Sequence, residues 1–370
     1  MKILFGGDFC PQNRVAKLFE KGNYAYVLSE LRDIVSQVDY SIINFECPIT
    51  KGGEIPIIKR GPNLQCSENG IEALQWVGIN CVALANNHLL DFGEAGVRQT
   101  LEACKKYGLD TIGGGPNLQE ASRILYKSIN GSIVAFINCC EHEFSIAKET
   151  TAGANPLNPI QQYYDIQDAK NRADYVIVLI HGGHEHFQLP SPRMQELYRF
   201  FIHVGADAVI NNHQHCYSGY ELYHGKPIFY GLGNLCFDYA MTDDGKWNEG
   251  YMVVLDIKKK IDFEIIPYSQ CKDRPSVNII DASSFDQTIA ELNAIILNPK
   301  KLEQAIASYY ESCTKSISAI FEPSNNRYYL WARKRGWIPS LISQNRKIKA
   351  SNFICCESHR EKLIYYLNQL

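Results

Sequence analysis

The stretch CVALANNHLLDFGEAGVRQTLEACKKYG, residues 81–108, decides how the chain is read. An apolar run stops abruptly at Asn86-Asn87-His88. Asp91 and Gly93 follow within one turn, and from Gly93 onward apolar residues recur at helical spacing as far as Gly108. Asn and Asp resist strand interiors and Gly resists helix interiors. Residues 86–92 are therefore a junction between a strand and a helix, and the junction carries groups that bind metal or move protons.

The same pattern repeats on either side. KILFGG (2–7) and YSIINFE (40–46) read as strands, with AYVLSELRDIVSQ (25–37) and IEALQWVG (71–78) as helices. SIVAFINCC (132–140), YVIVLIHGG (175–183) and DAVINNH (207–213) are further apolar strands. Between the last two lies SPRMQELYRFFIHVG (191–205), which opens on a Ser cap and a Pro and closes on a Gly. Strands alternating with helices imply a layered α/β fold with much parallel sheet. Beyond residue 215 the text changes to hairpin-like runs, YELYHGKPIFYGLGNL (220–235) and EGYMVVLDIKKKIDFEIIPYS (249–269). From 283 it turns helical, and the stretches RYYLWARKRGW (327–337) and RKIKASN (346–352) are basic. The expected division is a domain over 1–270 and a helical C-terminal accessory region over 283–370.

Composition narrows the class. Hydrophobic residues are 45% of the 370 and charged residues 21%, with a formal charge of −3. That is ordinary globular protein with no global pull toward nucleic acid or a membrane surface. The opening residues lack a basic segment followed by a long apolar one and read as a strand, not a signal peptide. No run of about 18 apolar residues predicts a transmembrane helix. The 13 Cys, an odd total with adjacent pairs at 139–140 and 355–356, fit reduced thiols. A cytoplasmic location is expected.

Candidate site residues fall on this frame in one way. Asp8, Glu46, Asn87 with His88, His181 with His184 and Glu185, and His213 with His215 each follow an apolar strand. The carboxyl edge of an open α/β sheet is where ligands bind. Mixed carboxylates and imidazoles suit Zn, Mn or Fe(II) better than Ca. Six or more candidate ligands exceed one tetrahedral site, so two divalent ions are expected, with a carboxylate between them and a water activated as nucleophile. His213 and His215, alternate residues of an extended segment, point the same way. The glycines of HGGHEH permit close backbone approach. Each residue also has a plainer reading. Asp8 could cap a turn. Asp91 could orient His88 or cap the helix that begins at Gly93. His186 could merely flank the loop, and His224 reads as a hairpin-turn residue. His203 sits inside a helix, and His142 and His359 lack partners nearby in sequence.

GD at 7–8, NFE at 44–46, NNHLLDFG at 86–93, HGGHE at 181–185, HQH at 213–215 and GLGNLCFD at 231–238 occur in this order. Over about residues 1–270 the set resembles the CapA-type bacterial capsule synthesis proteins, the poly-γ-glutamate capsule family. That family in turn resembles calcineurin-like metallophosphoesterases. The resemblance implies a four-layer α/β/β/α sandwich and a two-metal site. It implies Asp8, Glu46, Asn87, His181, His213 and His215 as metal ligands. It also implies His88 near the leaving group, and Glu185 as the acid of an H-x-G-x-E motif. Two positions depart from the pattern. The metallophosphatase D-x-H start is Asp8-Phe9-Cys10, and the usual G-H-H-P-H is Asn211-Asn212-His213-Gln214-His215. No membrane anchor of the family type is seen.

Two function classes follow. One is a metal-dependent hydrolase of a phosphoester or a polyglutamate or other capsule-polymer bond, with His88, Asp91 and Glu185 handling protons. The other is a binding or assembly component of capsule synthesis that holds substrate without turnover. An unrelated α/β enzyme is a third reading. The expected partner is an anionic small molecule or polymer, without nucleic acid. The basic aromatic C-terminal text is read as packed helix, with Tyr328, Leu330, Trp331 and Trp337 filling a core and Arg and Lys stems covering it; binding of an anionic polymer or membrane surface is the alternative.

Overall fold

The computed structural model describes residues 1–59, 61–239, 245–258, 260–320, 326–339 and 342–355, without the side chains of 284, 314–320, 349, 351–353 and 355. His359 and Cys356 lie outside the described residues. The chain begins with β1 (Lys2–Phe9), α1 (Asn13–Phe19), α2 (Tyr24–Val35), β2 (Tyr40–Phe45), α3 (Asn69–Val77), β3 (Cys81–Ala83), α4 (Gly93–Lys106) and β4 (Asp110–Ile112). It continues through β5 (Gly114–Gly115), α5 (Leu118–Ala121), β6 (Leu125–Ile129), β7 (Ser132–Cys140), β8 (Gly153–Ala154), α6 (Pro159–Arg172), β9 (Tyr175–His181), α7 (Pro192–His203), β10 (Ala208–Asn212), β11 (Tyr220–Tyr223) and β12 (Lys226–Phe229). Then come β13 (Asn234–Cys236), β14 (Glu249–Ile257), β15 (Ile261–Gln270), β16 (Val277–Ile279) and the helices α8 (Ala282–Ile296), α9 (Pro299–Ile320), α10 (Arg327–Lys334) and α11 (Gln344–Cys355).

Two large sheets form. The first runs β16-β15-β14-β1-β2-β3-β4, and the second β11-β12-β10-β9-β7-β6. β1, β2, β3 and β4 pair in parallel, as do β7, β9, β10 and β12, while β14–β16 and the β11–β12 and β6–β7 pairs are antiparallel. Strands buried on both faces read as continuous apolar runs: all six residues of β2 and seven of eight in β1 are buried. The sheets face each other through Phe136 of β7, whose ring lies 6.4 Å from Phe5 and 5.7 Å from Tyr40. Burying each such side chain contributes about 1.5–3 kcal/mol. α2 and α4 pack on the first sheet, and α6 and α7 on the second. α2 shows why: Val27, Leu28, Leu31 and Val35, at three- and four-residue spacing, are its buried stripe. The result is a four-layer α/β/β/α sandwich.

The hairpin expected over 220–235 holds only as far as β12. His224 sits in its turn with φ 51°. GLGNLC instead crosses to the other sheet, where β13 pairs in parallel with β1. The crossing is close: the Asp8 N–H donates to Gly233 O at 3.0 Å, and a Cβ on Gly7 would meet that oxygen at 1.9 Å. Gly7 is thus required by the approach of two backbones.

One compact unit spans Met1–Leu302 and a second Glu303–Leu370. The composition shift at 270–283 falls within the first. There Phe285 of α8 packs 4.5 Å from the Tyr217 ring and 5.9 Å from that of Tyr251. In the second unit the expected core filling does not hold for three aromatics. Tyr328, Trp331 and Trp337 are 72%, 47% and 68% exposed. Tyr328 and Trp331, on short and basic α10, and Trp337, three residues beyond it, stay at the surface, where Trp331 meets Trp337 edge-on and Arg335 stacks over Trp331. Among the described residues no helix is long and apolar enough to cross a membrane, and no disulfide joins the cysteines.

Candidate metal centre

Six residues reach one buried space from the carboxyl ends of five strands. Asp8 lies at the end of β1, Glu46 directly after β2, and Asn87 four residues beyond β3. His181 ends β9, and His213 and His215 follow β10. All six are at most 6% exposed. The sequence pattern suggested one sheet edge, but two are used. β1, β2 and β3 belong to the first sheet and β9 and β10 to the second, and the sandwich brings the two edges face to face.

The contacts are short and polar. Asn44 Nδ2 donates to Asp8 Oδ1 at 2.7 Å, and the His213 backbone N–H donates to Asp8 Oδ2 at 3.3 Å. His181 Nε2 lies 3.0 Å from Asn87 Oδ1, 3.0 Å from His213 Nδ1 and 3.5 Å from Glu46 Oε1. His215 Nε2 is 3.7 Å from that same carboxylate oxygen, and its Nδ1 is 3.5 Å from Asp8 Oδ2. Asn234 Nδ2 donates to the carbonyls of His215 and Trp247, so its Oδ1 turns to His215 Nδ1 at 2.9 Å. That leaves His215 Nε2 as a lone pair facing Glu46. Asn87 Nδ2 donates to Glu143 Oε2 at 3.0 Å, which likewise turns the Asn87 oxygen inward. His213 and His215 have φ of 103° and 55°. Positive φ strains a residue with a Cβ and clusters at functional sites.

Burial sets the charge states. Desolvation pushes the Asp8 carboxyl up to about 7, from an ordinary 3.8. It raises Glu46 well above its usual range, with the Asp8 charge adding to the effect. Desolvation lowers His213 to about 3 and holds His181 and His215 well below the usual imidazole value, with their histidine neighbours adding to the effect. Burial thus favours the neutral form of the three rings and of both carboxyls.

The donor set fits divalent ions. Both Glu46 oxygens are buried without a hydrogen-bond partner, and a buried carboxylate left unpaired costs several kcal/mol. Ligand atoms of Glu46, His181 and His213 lie within 4.8 Å of one another, as do those of Asp8, Glu46 and His215. Glu46 is common to both groups. Cys10, standing where the related pattern has a ligand His, belongs to neither. Gln12 Nε2 donates to its sulfur at 3.2 Å, and the thiol lies against Cys47 in the apolar core.

His88 and Asp91 stand beside this centre. Asp91 does not cap α4: the residue before that helix is Phe92, with no side-chain cap. Asp91 Oδ2 instead lies 2.7 Å from His88 Nδ1. His88 and His215 open onto a cleft of 220 Å³ that Pro62, Leu64, Phe237 and Trp247 also line, with Glu185 and His186. Glu185 is exposed in the loop after β9. His184 lies on that loop with its ring 6.5 Å from Phe187, whereas His142 and His203 are exposed outside the centre. Sequence reasoning passed over Asn44, Asn234, Glu143 and Asn138. Asn44 and Asn234 sat inside quoted motifs, NFE and GLGN. Asn138 Oδ1 accepts the Ala85 N–H at 2.9 Å and so fixes the start of the Asn-Asn-His junction.

Residues 2–239 match the family described as bacterial capsule synthesis protein PGA_cap. The chain is 31% identical over 269 residues to the PGA biosynthesis protein CapA of Bacillus subtilis, covering 71% of this chain and 70% of that protein. It is 30% identical over 244 residues to the capsule biosynthesis protein CapA of Bacillus anthracis, covering 64% of this chain and 59% of that one. Among solved structures, a hypothetical protein from Thermus thermophilus aligns with TM-score 0.47 and 14% identity over 73% of this chain and 99% of its own. A 5'-nucleotidase precursor from the same organism aligns with TM-score 0.41 and 10% identity, over 83% and 59%. With its motifs in order and its match spanning most of the sandwich, the chain belongs to the bacterial capsule synthesis protein family PGA_cap.

Proposed function

We propose that the chain is a metal-dependent hydrolase acting on a phosphoester or on a polyglutamate or related capsule-polymer bond. The observation that carries this reading is the Glu46 carboxyl group, buried without a hydrogen-bond partner among His181, His213 and His215. Glu46, His181 and His213 would hold one ion, and Asp8, Glu46 and His215 a second, with Asn87 beside the first. Divalent cations there supply Lewis acidity toward an anionic substrate and a water nucleophile at neutral pH. The protein's own groups do the rest. His88, which lines the cleft, hands a proton to the leaving group. Asp91 holds the ring through Nδ1. Glu185, on the same cleft, is the second group placed to handle a proton. The aromatic wall of Phe237 and Trp247 excludes water from one side.

A second reading has its own support. Cys10 supplies no ligand, and a Mycobacterium tuberculosis relative, 28% identical over 220 residues, is described as a probable polyglutamine synthesis accessory protein. In that reading the centre binds without turnover. Metal analysis of gently purified protein, coupled to a screen of p-nitrophenyl phosphate, its bis-ester and poly-γ-glutamate, separates the two. Hydrolysis by metal-loaded protein is the expected result, and His88→Gln should lower turnover by roughly 10²–10⁴-fold with metal retained. Loss of metal in that variant would reassign His88 as a ligand. Bound metal with no hydrolysis of any of the three favours the accessory reading.

A further inference from the structure

The loop before α3 carries the sequence KGGEIPIIKRGPNL (51–64), rich in turn formers and without helical or strand periodicity. Its outer side is exposed at Ile55 and Ile58. Yet Lys59, next to Ile58, has a side chain only 1% exposed. A buried ammonium is costly unless paired. Lys59 Nζ forms an ion pair with Asp91 Oδ1 and also lies 3.0 Å from His88 Nδ1, with the Phe144 ring 5.5 Å away.

Asp91 is the fixed point of this arrangement. Its Oδ2 faces His88 Nδ1 and accepts the Leu64 N–H at 2.6 Å. Its backbone carbonyl accepts from the Ile57 N–H and from Asn63 Nδ2, each at 2.9 Å. Pairing with Asp91 alone would satisfy a purely structural lysine. The contact with the imidazole does more: Nδ1 either donates its N–H to Asp91 Oδ2 or accepts from Lys59 Nζ, and either way that edge of the ring is taken. The opposite edge, Nε2, is then left for the cleft that His88 lines.

We infer that Lys59 is a positioning residue for His88, locking the Asp91 carboxylate and the Nδ1 edge of the ring so that Nε2 is presented to the substrate. The inference rests on the hydrolase reading, but its physical content can be read without turnover. The experiment compares full-length wild type, Lys59→Met and Lys59→Arg, each checked for fold by circular dichroism and melting temperature and for bound metal. Imidazole ¹⁵N spectra at fixed pH are recorded for each, with the His88 signals assigned by their loss in His88→Gln. The His88 nitrogen signals should move in Lys59→Met while those of His181, His213 and His215 stay in place. With an active substrate, kcat should fall roughly ten- to a hundredfold at unchanged KM and metal content, and Lys59→Arg should recover part of it. Unmoved His88 signals in folded Lys59→Met would overturn the inference, as would movement of all the site histidines together. If Lys59→Met does not fold, Lys59→Gln, which also removes the ammonium, carries the same spectral comparison: His88 signals that move alone support the inference, and unmoved signals refute it. A wild type that hydrolyses nothing removes the hydrolase reading and leaves the spectral result standing.

Discussion

Asp8 and Glu46 end neighbouring strands and share one desolvated space, so a proton and a metal ion compete for them. Asp8 is raised to about 7 and Glu46 is raised too, while the histidines are already neutral well below that pH. Metal affinity should therefore climb by at least roughly tenfold per pH unit between pH 5.5 and about 7. Calorimetric titration with Mn²⁺ across that range checks it, and a flat affinity would contradict it. Without metal the sign reverses for stability. A carboxyl raised above its unfolded value contributes fully below about 3.8, and the contribution is lost as pH rises through about 7. These residues were legible in the sequence because each lies at or just beyond the end of an apolar strand. Lys59 and Glu143 were not. They lie in segments with no periodicity, and only the folded chain shows that Lys59 is buried against Asp91 and that Glu143 meets Asn87.

Long, strongly periodic elements were readable one by one: β1, β2, β9, α4 and the capped helix α7, whose Ser191 side chain accepts the Met194 N–H at 3.2 Å. Short elements fixed by distant partners were not. β4 has three residues and β6 is half-buried, so neither shows an apolar run. β13 read as part of a hairpin because its parallel pairing with β1 depends on a backbone more than 200 positions away. α8 is the instructive case. Its text shifts in composition, yet Phe285, Ile289 and Ile296 are buried, and Asn293 Oδ1 accepts the Tyr220 N–H at 2.7 Å. Removing the Phe285 contact alone should cost about 3–5 kcal/mol. A chain ending at Leu302 should thus melt well above one ending at Asp281, as followed by circular dichroism. Equal melting temperatures would make α8 dispensable to the first unit.

At the scale of the whole molecule, the sandwich is what makes a site from separate motifs. Neither sheet alone holds a ligand set. The first offers Asp8, Glu46 and Asn87, the second His181, His213 and His215, and only face-to-face packing through residues such as Phe136 joins them. Order along the sequence suggested a common edge, but the pairing of two edges is a property of the packed core and appears in no single motif. The proposed chemistry depends on that junction being a metal centre. The most direct measurement is anomalous diffraction from crystals of the full chain grown with Mn²⁺. Anomalous peaks are expected within coordination distance of Glu46, one shared with His181 and His213 and one with Asp8 and His215. A map from such crystals with no peak between these residues would contradict the metal centre.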